Sequence, residues 1–155
     1  MPGPDLGDAT PRSQPLGRVL VVDDEPDLAE LVEHSLRLGG YEVKTAHDGN
    51  RALEFAYQEH FDAIILDLML PGIDGHQICA LLKADRRYRN VPIIILSART
   101  GIDAFDASAT CGADAHIMKP FDHKVLLSHL GSLLAKAKEA EAREQGSPDA
   151  GAPRL

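Results

Sequence analysis

The feature that most constrains the fold is a fivefold alternation between short apolar runs and segments with helical periodicity. Three runs are almost wholly apolar and rich in β-branched residues: 18–23 (RVLVVD), 63–67 (AIILD) and 91–96 (VPIIIL). Two others, 41–45 (YEVKT) and 115–118 (AHIM), mix apolar and polar residues. The segments between the runs carry apolar residues three and four positions apart, which is typical of amphipathic helices. Alternating strands and helices predict an α/β protein with a parallel sheet and helices on both faces.

The polarity of each run also predicts the place of its strand in the sheet. Fully apolar strands are covered on both faces and belong in the interior, whereas the alternating run at 41–45 fits an edge strand. The short last run, which carries His116, is the natural other edge. We therefore predict a flavodoxin-like, doubly wound sheet of five parallel strands in the order 2-1-3-4-5. Five helices are expected, the fourth of them at about residues 103–111.

Composition and charge narrow the class of protein. The chain has 155 residues, of which 44% are hydrophobic and 26% charged, as in ordinary globular domains. With 24 acidic and 16 basic residues the formal net charge is −8, so direct contact with nucleic acid or an anionic membrane is not expected. The apolar runs are too short to cross a bilayer, and the start of the chain lacks the hydrophobic core of a signal peptide. The two cysteines are far apart, and we expect a cytoplasmic protein.

The distribution of these patterns divides the chain into three parts. Residues 1–17 are rich in Pro, Gly, Asp and Ser, so we expect a disordered leader. Residues 18–135 contain all the predicted strands and helices. Residues 136–155 are expected to extend the last helix and then form a disordered tail, because the alanine-rich run at 136–144 favours helix. A solvated extension is the simpler expectation for this run, and a homodimer through it is the alternative.

A set of polar residues stands at the ends of the first, third, fourth and fifth predicted strands: Asp23, Asp24, Asp67, Ser97 and Lys119. The carboxyl ends of parallel strands meet at one edge, where such sheets bind their ligands. Each residue alone is more often a turn or cap residue, as we interpret Asp74-Gly75, but the combination favours a site. Carboxylates without histidine or cysteine favour Mg²⁺ or Ca²⁺ over Zn²⁺. A cation, an ammonium group and a hydroxyl converging on a carboxylate suit phosphoryl transfer onto Asp67.

At this point the sequence resembles the receiver domains of two-component response regulators. The segments that carry the resemblance are VLVVDDEPD (19–27), IILDLMLPGIDG (64–75), PIIILSA (92–98) and GADAHIMKPF (112–121). The resemblance extends over about residues 18–135, and this set of motifs is highly specific.

The resemblance implies a role for each residue of the site. Asp67 would be the phosphorylated nucleophile, Lys119 would pair with the phosphoryl group, and Ser97 would donate a hydrogen bond to it. The implied protein ligands of Mg²⁺ are Asp24, Asp67, the backbone carbonyl of Met69 and, largely through water, Asp23.

The same resemblance bears on four further positions. His116 stands where the family often has Tyr or Phe, whose rotation reports phosphorylation, so a switch residue and an ordinary edge-strand histidine both fit. The Lys119-Pro120 peptide bond is implied to be cis. Met69 and Arg99 occupy positions that tune the lifetime of the acyl phosphate.

The implied function is that of a single-domain response regulator. It would accept a phosphoryl group from a sensor histidine kinase or a phosphotransfer protein, in a two-component pathway or phosphorelay. Phosphorylation would switch a surface built from the fourth helix, fifth strand and fifth helix, to which a downstream protein target binds. The protein would catalyse only its own phosphorylation and dephosphorylation, so it is not an enzyme in the ordinary sense. A receiver excised from a longer regulator would have the same sequence pattern.

Three alternatives fit less of the sequence. A receiver that no longer accepts phosphate would lack a site residue, and all five are present. A haloacid-dehalogenase-type phosphatase needs a second Asp two residues after the nucleophile, where this chain has Met69. A nucleotide or flavin binder needs a phosphate-binding loop after the first strand, where Asp23, Asp24 and Glu25 would repel phosphate.

Overall fold

The computed structural model describes residues 15–68, 70, 73–97, 112–119 and 121–146. In chain order the elements are β1 (Arg18–Val22), α1 (Pro26–Leu38), β2 (Glu42–Ala46), α2 (Gly49–Gln58), β3 (Ala63–Asp67), α3 (Gly75–Ala84), a 3₁₀ turn (Arg86–Tyr88), β4 (Ile93–Ser97), β5 (Ala115–Met118) and α4 (His123–Gly146). The predicted fourth helix at residues 103–111 lies outside the described residues, so α4 corresponds to the predicted fifth helix.

The five strands form one parallel sheet in the order β2-β1-β3-β4-β5. This confirms the predicted order and both predicted edges. Every residue of β3 and β4 is buried, whereas exposed and half-buried residues occur along the edge strands β2 and β5. The fully apolar runs are therefore interior strands because both of their faces are covered.

Alternate residues of each central strand face two separate hydrophobic layers. Leu20 and Val22 of β1 pack in a cluster with residues of α2 and α3, whereas Val19 and Val21 pack in a cluster with residues of α1 and α4. Successive side chains of a strand point to opposite faces, so a strand covered on both sides needs apolar residues throughout. This two-sided burial holds the carboxyl ends of β1, β3 and β4 side by side.

The starts of two helices lie next to the carboxyl ends of the strands. α1 begins at Pro26, close after the end of β1, and proline suits the first turn because that turn lacks intrahelical partners for its N–H groups. α3 begins at Gly75 and is capped by Asp74, which forms a reciprocal capping box with Gln77. The interpretation of Asp74-Gly75 as a turn and helix start is confirmed.

The last helix is the longest described element. Leu126 and Leu130 are buried in the layer that α4 shares with α1, and the helix then continues through Gly146. The described side chains of residues 136–140 are half-buried or exposed. Among the described helices, none combines the length and apolar character that a membrane span requires. The proposed boundary at residue 135 stays a prediction.

Candidate functional site: an acidic cluster with one lysine

Three aspartates meet at the carboxyl edge of the sheet. Asp23 directly follows β1, and Asp67 is the last residue of β3, which pairs with β1. One oxygen from each of Asp23, Asp24 and Asp67 lies within 4.8 Å of the others. Asp23 and Asp67 are only 1% and 4% exposed, whereas Asp24 is exposed. Two of the carboxylates are therefore desolvated and close enough to repel each other strongly.

Lys119 brings a positive charge to this cluster. Its backbone N–H donates a hydrogen bond to the Ser97 carbonyl at 2.8 Å, which continues the pairing of β4 with β5. Its ammonium nitrogen lies 3.4 Å from Asp67 Oδ1 and 3.7 Å from Asp23 Oδ2. Among the described residues, one ammonium group against three carboxylates gives the cluster an excess of negative charge.

Among the described residues, hydrogen bonds reach only one oxygen of the Asp23 carboxylate. Its Oδ1 accepts a hydrogen bond from the Glu25 N–H at 2.9 Å, and its backbone N–H donates to the Ala46 carbonyl at 3.0 Å. Its Oδ2 is buried and accepts no hydrogen bond from any described residue. A buried carboxylate oxygen in this state is unfavourable unless a cation balances it.

His47 also contacts the cluster, and the sequence analysis did not identify it. Its ring nitrogen Nδ1 lies 3.0 Å from the backbone carbonyl oxygen of Asp23. A carbonyl oxygen only accepts hydrogen bonds, so Nδ1 carries the proton and donates. The available signal was position, because His47 directly follows β2 and so reaches the same edge of the sheet.

Hydrogen bonds to β4 and to the start of α3 hold the backbone directly after Asp67. The Leu68 N–H donates to the Leu96 carbonyl at 2.9 Å, and the Gly75 N–H donates to the Leu68 carbonyl at 3.3 Å. A Cβ atom at position 75 would lie 2.6 Å from the Asp67 carbonyl oxygen, which is too close for any side chain. Glycine at the start of α3 therefore allows the helix to lie directly against the residue predicted to be phosphorylated.

Ser97 and His116 occupy the two strands on the other side of Asp67. Asp67 pairs with Leu96, so the fully buried Ser97 stands one residue further towards the carboxyl edge. His116 pairs with Ile95 and is half-buried. Burial, and to a smaller extent the imidazole of His76, lower the pKa of His116. His116 is therefore mainly neutral near pH 7.

The remaining predicted site residues, Met69 and Pro120, lie outside the described residues, as does Arg99. The predicted metal carbonyl, the predicted cis peptide bond and the lifetime-tuning positions therefore stay predictions. Six of the eight predicted site residues are described, and the distances above bring four of them together: Asp23, Asp24, Asp67 and Lys119. The register places Ser97 at the same edge of the sheet.

The cluster fits a hard divalent cation. All of its potential ligands are carboxylate oxygens, which Mg²⁺ and Ca²⁺ prefer, and the described part of the cluster contains no histidine nitrogen or thiolate. The buried Asp23 Oδ2, which lacks a hydrogen bond, is an atom that such a cation or its bound water would satisfy.

The comparison with known protein families agrees with this arrangement. The family model described as the response regulator receiver domain matches residues 19–131, which is well over half of the chain. The chain belongs to the response regulator receiver domain family. The recognised resemblance and the predicted flavodoxin-like sheet are thus both confirmed.

The curated relatives of this receiver domain are longer than this chain's matching part. The DNA-binding dual master transcriptional regulator RpaA of Synechocystis is 36% identical over 140 residues, covering 83% of this chain and 56% of its own length. The chain spans about half the length of the curated relatives it matches. The expectation of a single-domain regulator therefore stays a prediction.

Two solved receiver structures show the same fold. The chemotaxis response regulator CheY4 of Vibrio cholerae has a TM-score of 0.71 and 34% identity, covering 75% of this chain and 97% of its own. The receiver domain of the sensor histidine kinase PA1611 of Pseudomonas aeruginosa has a TM-score of 0.72 and 30% identity, covering 77% and 98%. That second structure is described as holding a magnesium ion in its active-site cleft.

Proposed function

We propose that this receiver domain accepts a phosphoryl group on Asp67 in a Mg²⁺-dependent reaction, with a histidine kinase or a phosphotransfer protein as the donor. The observation that carries the proposal is the position of the Lys119 ammonium group, 3.4 Å from Asp67 Oδ1 and 3.7 Å from Asp23 Oδ2. A structural role for a desolvated acid pair needs no third carboxylate, yet Asp24 adds one at the exposed side. A third carboxylate instead suits a bound divalent cation, which together with Lys119 would attract a substrate that carries negative oxygens.

Each residue of the site has a defined part in the transfer. The Asp67 carboxylate oxygen attacks phosphorus while the bond from phosphorus to the donor nitrogen breaks, and the donor imidazole keeps that electron pair. Lys119 stabilises the charge on the phosphoryl oxygens, and Asp23 and Asp24 hold the cation. Mg²⁺, when bound, supplies positive charge that allows an anionic donor to approach an acidic site. The magnesium ion of the related PA1611 structure supports this choice of metal.

A protein donor would approach over the start of α1. Pro26, Leu28 and Leu31 line a shallow depression beside Asp24, and Leu31 is 61% exposed. Exposed apolar residues next to a reactive group are typical of docking surfaces.

A phosphorylated histidine phosphotransfer domain that reacts with the wild-type chain would transfer its phosphoryl group more slowly to a Leu31→Glu variant. Acetyl phosphate, which needs no docking surface, would react equally with both chains.

Phosphorylation would be transmitted through Ser97, Lys119 and His116. The modification adds roughly −1.5 to −2 charges at Asp67. Ser97, the last residue of β4, and Lys119, directly after β5, are donors at the same edge of the sheet. Movement of these groups towards the new oxygens would bias the surface of β5 and α4 between two states. That surface is the proposed site of a downstream protein target.

The proposal is tested by intact-mass measurement after incubation with acetyl phosphate and MgCl₂. We expect the wild-type chain to gain the mass of one phosphoryl group, and we expect no gain in Asp67→Asn or with EDTA in place of MgCl₂. A control variant, Asp48→Asn, changes the exposed carboxylate that caps α2, which is outside the cluster, and should react as the wild type does. A wild-type chain that gains no mass, or an Asp67→Asn variant that gains it equally, would overturn the proposal.

A further inference from the structure

His47 contacts the turn that carries Asp23 and Asp24, and the backbone around His47 is held in place. Its backbone lies between Ala46, the last residue of β2, and Asp48, which caps α2 by accepting a hydrogen bond from the Arg51 N–H. The Ala46 carbonyl in turn accepts the Asp23 N–H at 3.0 Å. The chain on both sides of His47 is therefore fixed by regular structure, although its side chain is exposed.

The turn that His47 contacts carries two of the three carboxylates. Asp23 and Asp24 follow β1, and the only described hydrogen bond to the Asp23 carboxylate comes from the Glu25 N–H inside the same turn. Without a cation the two aspartates repel Asp67, which favours opening of the turn. Two described side chains outside the turn oppose this opening: the Lys119 ammonium group lies 3.7 Å from Asp23 Oδ2, and His47 Nδ1 donates a hydrogen bond to the Asp23 carbonyl. Of these two, His47 is the one that contacts the backbone of the turn.

We propose that His47 is a positioning residue that pre-organises the Asp23-Asp24 turn for divalent-cation binding. The inference rests on the proposed function, because it assumes that Asp23 and Asp24 hold the cation. A turn already held in the binding geometry loses less conformational freedom when the cation binds, so the affinity is higher. His47 contacts the backbone of the turn and is not itself a ligand.

The experiment compares His47→Ala and His47→Asn with the wild-type chain and with His34→Ala, which removes another exposed histidine, on α1. Asparagine places its side-chain N–H₂ group where histidine has Nδ1, so it preserves the donor. Mg²⁺ dissociation constants are measured by amide NMR titration. Exchange of the Glu25 amide hydrogen is measured in EDTA, so this second readout needs neither metal nor phosphorylation.

We expect His47→Ala to bind Mg²⁺ about three- to tenfold more weakly, the size of one net hydrogen bond, and to exchange the Glu25 amide faster. We expect His47→Asn and His34→Ala to match the wild type in both measurements. A His47→Ala variant with unchanged affinity and exchange would overturn the inference, as would a His47→Asn variant as weak as His47→Ala. A wild-type chain that binds no Mg²⁺ would instead overturn the proposed function itself.

Discussion

Replacing Lys119 by methionine tests the charge balance of the site, because methionine keeps an unbranched apolar side chain but removes the ammonium group. At an effective dielectric constant of about 20, the ammonium attracts the Asp67 oxygen at 3.4 Å by about 5 kcal/mol and the Asp23 oxygen at 3.7 Å by about 4.5 kcal/mol. In bulk water each attraction falls to about 1 kcal/mol. Two effects make the net loss smaller than these attractions. Solvent at the exposed Asp24 screens the charges, and the variant no longer bears the cost of burying an ammonium group. We therefore expect a net loss of about 2–4 kcal/mol in the metal-free protein.

The assay is urea unfolding followed by circular dichroism, in EDTA and again in MgCl₂. The loss should appear in EDTA and shrink in MgCl₂, because the added cation replaces the missing positive charge. Lys119→Met should therefore gain more stability from Mg²⁺ than the wild type does. The double variant Lys119→Met/Asp67→Asn should recover part of the loss in EDTA, since one of the repelling carboxylates is gone. Lys124→Met, on the exposed start of α4, is the matched control.

Two results would refute this reasoning. One is an unfolding free energy of Lys119→Met within about 0.5 kcal/mol of the wild type in EDTA, the range of an ordinary surface substitution. The other is a gain from Mg²⁺ that is no larger in the variant than in the wild type. Either result would mean that solvent already screens the carboxylates and that Lys119 does not balance them.

Three further predictions concern the surroundings of the site. Gly75→Ala would place Cβ 2.6 Å from the Asp67 carbonyl oxygen. We therefore expect the free energy of unfolding in urea to fall by about 1–3 kcal/mol and phosphorylation by acetyl phosphate to slow down. Unchanged stability would contradict the packing of α3 against Asp67. Asp48→Ala removes the cap of α2 and should cost about 1 kcal/mol, whereas Asp48→Ser should restore most of it. Because the pKa of His116 lies below its ordinary value of 6.5, the unfolded chain binds a proton first as the pH falls, and stability is lost below about pH 6.5. The fall in melting temperature between about pH 7.5 and 5.5 should therefore be smaller in His116→Phe, and an equal fall would show that His116 does not contribute.

The order of the sheet could be predicted because it depends on local pattern and a few topological rules. The almost wholly apolar runs at 63–67 and 91–96 need cover on both faces, so β3 and β4 are interior. The mixed run at 41–45 has a polar face, so β2 lies at an edge. Parallel strands then bring Asp67 and Lys119 to the same edge wherever the helices lie. For the same reason the candidate site followed from the residues at the strand ends.

Contacts between residues distant in sequence could not be predicted in this way. Asp74-Gly75 was recognised as a helix start, but the need for glycine arises from the Asp67 carbonyl that packs against it. The contact of His47 with Asp23 joins residues 24 positions apart and depends on the final register of β1 with β2. Leu31 lies on the exposed side of α1 because the layer between α1 and the sheet is filled by Val32 and Leu36.

The sequence alone therefore determined the sheet, its order and the set of groups at its carboxyl edge, since periodicity and strand ends are properties of the chain. Only the tertiary structure decided how far the positive charge of Lys119 balances the negative charges of the carboxylates. The 3.4 Å and 3.7 Å distances from Lys119, and the buried Asp23 oxygen without a hydrogen bond, depend on how closely β1, β3 and β5 place their last residues. Electrostatic energy varies steeply with such distances and with burial, and neither quantity is a property of the chain before it folds.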